Sequence, residues 1–275
     1  MQGDFSFEFF PPRTDEGRRK LRETWQALSL LKPRFYSVTF GAGGSTREGT
    51  LDTVVEIREA GHEAAPHLSC VASTRADIAA QLKRYEESGI RHLVALRGDL
   101  PSGVASSGDF RYANELVSFI RETTGNWFRI DVACYPEYHP QTRNAEDEIR
   151  HFKRKVEAGA DGAITQYFYN ADAYFRFVDQ ARAAAIPIPI VPGVMPIGNF
   201  SQLARFSDNC GAEIPRWIRI RMDSYRDDNA SIRAFGLDVV TAMCERLLAG
   251  GAPGLHFYTL NQAGLSEEIW RRLGL

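Results

Sequence analysis

A closed (β/α)8 barrel, an α/β fold forming one domain over residues 1–275, is the fold the sequence predicts, and three observations predict it. Short apolar, β-rich runs alternate with longer amphipathic segments eight times. Those eight beats use nearly all of the 275 residues, close to the ~250 typical of such barrels. No Pro/Gly/Ser-rich linker or low-complexity run divides the chain. A doubly wound open sheet with an appendage is the competing architecture.

The strands predicted in order are Phe5 to Phe10, Phe35 to Thr39, Ala65 to Val71, His92 to Arg97, Phe128 to Cys134, Gly162 to Gln166, Ile188 to Gly193 and Leu255 to Thr259. Each is a short run enriched in β-branched, aromatic or small apolar residues, the pattern of a strand buried on both faces. Between them fall helices at Asp15 to Leu31, Arg47 to Ala60, Arg75 to Ser88, Tyr112 to Thr124, Ala145 to Ala158, Ala171 to Ala185, Phe200 to Asp208 and around Ser231 to Leu248. In the last of these, Ile232, Phe235, Val239, Val240, Met243 and Leu247 recur at three- or four-residue spacing, as one buried helical face requires. A closing helix is expected over Ser266 to Leu273.

Composition narrows the function. Lys and Arg total 33 against 35 Asp and Glu, so no basic footprint calls for nucleic acid or an anionic membrane. No run approaches the roughly 18 apolar residues of a membrane span, and the first residues lead straight into strand-like sequence rather than a signal peptide; a cytoplasmic protein is expected. Cys70, Cys134, Cys210 and Cys244 are widely spaced, which predicts reduced thiols and no metal site.

In barrels of this kind the reacting groups stand at the carboxyl ends of strands. Glu8 lies within Phe-Glu-Phe-Phe-Pro-Pro, and a carboxylate among Phe7, Phe9 and Phe10 is expected to be desolvated, its pKa raised toward neutrality and suited to general acid catalysis. Pairing with an arginine inside the barrel is the alternative. Thr39 opens a glycine-rich stretch; His67 lies in strand three; Arg97, Gly98 and Asp99 end strand four; Tyr135 to His139 end strand five; Gln166 ends strand six and Tyr258 strand eight. The stretch Gly41 to Ser45 matches neither Gly-x-Gly-x-x-Gly nor the P-loop, and reads as a tight turn bringing backbone close to a flat ligand. The basic run Arg150 to Lys155 is a solvated helix face or one edge of a phosphate site. Absence of Gly-x-Ser-x-Gly argues against a hydrolase.

Eight segments, taken together, resemble the methylenetetrahydrofolate reductases. They are Phe-Glu-Phe-Phe-Pro-Pro-Arg at 7–13, Val-Thr-Phe-Gly-Ala-Gly-Gly-Ser at 38–45, Leu-Arg-Gly-Asp at 96–99, Tyr-Pro-Glu-Tyr-His-Pro at 135–140, Lys-Arg-Lys-Val-Glu-Ala-Gly-Ala at 153–160, Ile-Thr-Gln-Tyr-Phe at 164–168, Pro-Gly-Val-Met-Pro-Ile at 192–197 and His-Phe-Tyr-Thr-Leu-Asn at 256–261. The resemblance implies an FAD-binding barrel without a Rossmann motif, and a ping-pong cycle in which NADH or NADPH reduces the flavin and folate then takes its place. Glu8 matches the family's general acid, which protonates N10 of 5,10-methylenetetrahydrofolate on the way to 5-methyltetrahydrofolate. Asp99 matches an aspartate beside flavin and pterin, Gln166 a residue bonding both substrates, and Phe200 an aromatic that stacks on ligand; Tyr258 and Gln262 join the substrate set. Thr39, Phe40, Ala42, His67, Arg97, Gly98, Tyr112, Ala113, Tyr135, His139, Arg154 and Lys155 fall at positions similar to the FAD contacts, and Thr142, Glu148 and His151 at others whose side chains differ.

After Tyr-Thr-Leu-Asn the family commonly has Arg where this chain has Gln262, which implies a weaker grip on the anionic part of folate or a substitute for it. Other readings of the same barrel are a 5-methyltetrahydrofolate oxidase with another electron acceptor, a phosphate-binding lyase or aldolase, and a silent barrel kept as a binding partner. The expected partners are folate and a nicotinamide dinucleotide, with a homo-oligomer left open. Beats that consume the chain also imply a bare catalytic barrel, without the C-terminal domain through which S-adenosylmethionine inhibits larger relatives.

Overall fold

The computed structural model describes residues 3–40, 47–98 and 108–275. Among them, nine short strands form one sheet in the order β7-β6-β5-β4-β3-β2-β1-β9-β8, every pair parallel. The strands are β1 (Ser6–Phe9), β2 (Phe35–Val38), β3 (Ala64–Ser69), β4 (His92–Leu96), β5 (Arg129–Cys134), β6 (Gly162–Thr165), β7 (Ile190–Val191), β8 (Gly193–Val194) and β9 (His256–Tyr258).

The predicted seventh strand is thus two pieces. Ile190 and Val191 pair with β6, whereas Gly193 and Val194 pair with β9, and Pro192 joins them. Proline cannot donate to a ladder, so the segment changes neighbour there; the Pro192 carbonyl still accepts from His256 N at 3.0 Å. One five-residue stretch therefore closes the ring. Gly193 is required at this seam, since a Cβ would lie 2.2 Å from the Thr165 carbonyl oxygen and 2.6 Å from the Tyr258 ring.

Among the described residues, ten helices cover the outside: α1 (Asp15–Ser29), α2 (Arg47–Glu59), α3 (Arg75–Glu87), α4 (Ala113–Thr124), α5 (Ala145–Glu157), α6 (Ala171–Ala183), α7 (Phe200–Cys210), α8 (Arg216–Tyr225), α9 (Asn229–Ala249) and α10 (Gly264–Arg272). Local chemistry sets several starts. Thr14 caps α1 by accepting from Gly17 N, Thr74 and Asp77 form a reciprocal capping box on α3, and Asn144 caps α5 by accepting from Asp147 N. Helix α8 has no counterpart among the predicted elements. Its buried apolar face is only Ile218 and Met222, set among Trp217 and three arginines, Arg216, Arg219 and Arg221. No helix among the described residues is long and apolar enough to cross a membrane.

Alternation along β1 sorts its side chains. Phe7 and Phe9 point outward into the layer between sheet and helices, where Phe7 lies 5.5 Å from Phe257 and 5.8 Å from Trp270. That outer layer holds most of the core. Inside the barrel the apolar filling is a small separate cluster, Phe35, Ala65, Val94 and Ile164. The rest of the interior is polar: Ser6, Glu8, His67, His92, Asp131 and His256 all turn inward, with His92 Nε2 2.8 Å from Asp131 Oδ2 and 4.4 Å, ring to ring, from Phe35.

Candidate active site

At the carboxyl end of the strands lies an open cavity of about 560 Å³. It brings together Glu8, Thr39, Phe40, His67, Gly98, Tyr135, His139, Gln166 and Tyr258, nine residues that the sequence singles out from seven different strands or their following loops. The gathering follows from the topology, because parallel strands deliver all their carboxyl ends to one face.

Glu8 is central. Register pairs it with Ser37 on β2 and Tyr258 on β9. Its Oε2 lies 3.2 Å from His67 Nε2, 3.3 Å from His256 Nε2 and 3.5 Å from Ser37 Oγ. The far nitrogen of the second imidazole, His256 Nδ1, is 2.7 Å from Ser6 Oγ. A buried line therefore runs from Ser6 through His256 to the cavity-facing carboxylate.

This arrangement corrects the expected pKa of Glu8. Burial does push the carboxyl upward, but the charge of His67 and the hydrogen bond from His256 outweigh it and hold the group down at about 2. The flanking phenylalanines that suggested a neutral acid face the other side of the sheet. His256 is also a site residue that sequence reasoning passed over. Its signal was present, since it lies two residues before Tyr258 and shares that residue's face.

Gly98 turns the chain at the end of β4 with φ +82, and a Cβ there would meet Ser69 Oγ at 1.9 Å; glycine alone fits. The neighbouring Arg97 donates from its guanidinium to Gln141 Oε1 at 2.6 Å, tying this turn to the loop after β5. Glu148, buried on α5, braces that loop by accepting from Thr142 Oγ1 at 2.9 Å and His139 N at 3.2 Å. Lys155 donates to the Ala133 carbonyl at 2.5 Å, and burial lowers the pKa of its ammonium. Its Nζ lies 5.8 Å from the centre of the Tyr135 ring. His151 and Arg154 are exposed on α5, and Tyr112 and Ala113 begin α4 outside the cavity wall. Ala42 and Asp99 lie outside the described residues.

On the other side of Tyr258, Gln262 lines a second cavity, of about 390 Å³. Phe200, at the start of α7, packs against the core and borders neither cavity; on the same helix Phe206 borders both, as does Tyr258 from β9. Asn261 is another residue without a prior signal. It clamps the backbone of Phe10 from both sides, accepting from Phe10 N at 2.8 Å and donating to Phe10 O at 2.9 Å. Leu260 and Asn261 adopt left-handed backbone, φ 51 and 58, which non-glycine residues hold only when their surroundings enforce it.

The fold and the site define a (β/α)8-barrel enzyme whose reacting groups ring one open cavity around a histidine-flanked carboxylate. A family model described as methylenetetrahydrofolate reductase matches residues 2–274, and the chain belongs to that family. It is 41% identical over 275 residues to the 5,10-methylenetetrahydrofolate reductases of Salmonella typhimurium and Escherichia coli, covering 100% of this chain and 92% of each relative. It is 37% identical over 288 residues to methylenetetrahydrofolate reductase (NADH) 1 of Arabidopsis thaliana, of which it covers 49%. Among solved structures, a Clostridium thermocellum protein described as binding two copies of 5-methyl-5,6,7,8-tetrahydrofolic acid superposes with a TM-score of 0.73 at 16% identity, over 98% of this chain and 93% of that one. At that identity the match speaks for the fold.

Proposed function

We propose that the chain interconverts 5,10-methylenetetrahydrofolate and 5-methyltetrahydrofolate as a cytoplasmic FAD enzyme, taking hydride from NADH or NADPH in a ping-pong cycle. The observation that carries this reading is Glu8, a buried carboxylate between two imidazoles at an open cavity, in a chain of this family. A NADH-named plant relative supports the donor. Three buried cysteines and one half-buried, all free, suit a reducing compartment.

The residues around the cavity fit FAD. Its wall offers flat aromatic surface from Phe40 and Tyr135, a close backbone approach at Gly98, and polar edges from Thr39, His67 and His139. Those residues and Arg97 would hold the ring system. Tyr112, Ala113, Thr142, Glu148, His151, Arg154 and Lys155 would line the way to the dinucleotide half; Ala42 and Asp99 belong to the same proposal on sequence alone. When bound, FAD supplies a two-electron hydride carrier serving nicotinamide and folate in turn.

Glu8 Oε2 faces both the imidazoles and the cavity. The proton required at N10 of the folate is held on the imidazole side, at Nε2 of His256 or His67, and passes through Glu8 Oε2 as the substrate nitrogen accepts it. Ser6 Oγ fixes the orientation of His256 from below. Gln166 and Tyr258 stand on either side to orient the pterin, and Phe200 would stack on ligand only if α7 brings it inward. The reading is tested by adding FAD to purified protein and reducing it anaerobically with NADH or NADPH. A yellow flavin spectrum, bleached by the donor and restored by 5,10-methylenetetrahydrofolate, is expected. Failure to bind flavin would sink it.

A further inference from the structure

Beneath the cavity, at the amino end of the strands, the barrel buries a second carboxylate–imidazole pair that the proposed reaction does not use. Asp131 Oδ2 lies 2.8 Å from His92 Nε2, and Asp131 Oδ1 lies 3.2 Å from a guanidinium nitrogen of Arg129. The side chains of Asp131 and His92 are 5% and 10% exposed, and neither borders the 560 Å³ or the 390 Å³ cavity. The fold makes room for them. Gly162 pairs with Asp131 on the adjoining strand, and a Cβ there would lie 2.4 Å from Asp131 Oδ1 and 2.8 Å from the Arg129 guanidinium. Apolar filling of the same volume is often as stable as a buried ion pair, so stability alone does not account for this one.

The pair is connected upward. The Phe35 ring packs against His92 with centroids 4.4 Å apart and stacks with His256 at 6.1 Å. His256 in turn is held by Ser6 Oγ at Nδ1 and reaches Glu8 Oε2 from Nε2. Among the described residues, the titratable groups facing this interior are Glu8 on β1, His67 on β3, His92 on β4, Arg129 and Asp131 on β5, and His256 and Tyr258 on β9; β2 and β6 present Phe35, Ser37, Gly162 and Ile164. Burial pushes the Asp131 carboxyl upward, but the charge and hydrogen bond of His92, with the charges of Arg129 and His256, outweigh it and hold the group below its ordinary value, as an anion.

We propose that Asp131 is a positioning residue for folate reduction: its fixed negative charge, placed under His256 and separated from it by Phe35, keeps the proton on the Glu8–His256 couple until the folate nitrogen takes it. The proposal rests on the function proposed above. Asp131 touches neither cavity and acts only through His256. Its field reaches that imidazole through a dry interior, where a unit charge is screened far less than in water. Arg129 opposes it from the half-exposed amino end, with its side chain 33% exposed, and so moderates the same field.

Opposite charges make opposite predictions, which a merely structural pair would not. Enzyme with FAD bound is reduced anaerobically, and its reoxidation by 5,10-methylenetetrahydrofolate is followed by stopped-flow across the pH range in the unmodified protein, Asp131→Asn and Arg129→Gln. Removing the anion lets the couple lose its proton sooner, so the alkaline limb of the rate profile in Asp131→Asn is expected to move toward lower pH by about half to one unit. Removing the opposing cation in Arg129→Gln moves that limb toward higher pH. Because Arg129 is partly exposed, this second variant carries the test even where Asp131→Asn does not fold. Flavin reduction by NADH, which needs no proton from Glu8, should be unchanged in both variants. A limb that stays in place in Arg129→Gln, shifts of the same sign in the two variants, or an equal loss in both half-reactions overturns the proposal while leaving the reductase reading intact. No reoxidation by the folate in the unmodified protein overturns the parent reading and this one with it.

Discussion

His256 Nε2 lies 3.3 Å from Glu8 Oε2, across neighbouring strands whose register pairs Glu8 with Tyr258. The two side chains are 248 residues apart in sequence, and it is closure of the ring that brings them together. A carboxylate expected to be a simple neutral acid is instead one half of an acid–imidazole pair.

Replacing Glu8 by Gln removes the proton path to the substrate but leaves the donor half untouched. Flavin reduction by NADH should stay largely intact while folate reduction falls by a factor on the order of 100 or more, about 2.7 kcal/mol in barrier. Stopped-flow of the two half-reactions separates them, and equal loss in both would make Glu8 structural.

Since His256 acts through Glu8, its removal should cost little once Glu8 is gone. His256→Ala is expected to slow folate reduction and displace its pH profile, whereas Glu8→Gln with His256→Ala should be no slower than Glu8→Gln alone within a factor of about two. Full additivity would place the histidine outside the proton path.

Glu137, in the loop after β5, accepts from Glu213 N at 2.8 Å, and burial pushes its pKa up to about 7. The native protein then keeps a proton that the unfolded chain releases from about 4.5 upward, so this group's contribution to stability falls as pH rises from 4.5 to 7. Glu8 has the opposite sign in a separate window: its contribution is present above 4.5 and is lost as pH drops toward 2. Glu137→Gln should flatten the urea midpoint between pH 5 and 8, raising stability at pH 8 by roughly 1–2 kcal/mol after allowance for solvent screening. An unchanged slope would argue against it.

A methyl group at Gly193 would strike the Thr165 carbonyl and the Tyr258 ring together. Gly193→Ala is expected to destabilise the fold by about 2–4 kcal/mol, with weaker folate binding as Tyr258 shifts. Thermal unfolding with and without ligand reads both effects.

Gln262→Arg places a cation in the second cavity, at the position where the family commonly has one. Folate binding should tighten by a few-fold with little change in FAD retention. Weaker or unchanged folate affinity would show that this position does not contact the folate.

Much of this was legible in the residues. Eight beats gave the barrel, and alternation along Ser6–Phe9 placed Glu8 inside and Phe7 and Phe9 outside. What stayed hidden depends on cross-strand neighbours, which no local period encodes. His67 and His256 reach Glu8 only through sheet closure, and without them burial alone pointed to the wrong pKa direction. Helix α8 was missed because two apolar residues among arginines make a faint stripe, and the seventh strand read as continuous because Pro192 interrupts its pairing rather than its hydrophobicity. The cavity wall gathers nine of the singled-out residues; Ala42 and Asp99 lie outside the described residues.

The polar barrel interior gives the two faces of the sheet separate occupations. Aromatic packing outside the strands bears the load of holding the ring together, while Ser6, Glu8, His67 and His256 fill the space that other barrels give to aliphatic layers. Chemistry can then be revised from within at little structural expense: a new interior residue alters proton traffic, and the outer girdle goes on holding the same shape.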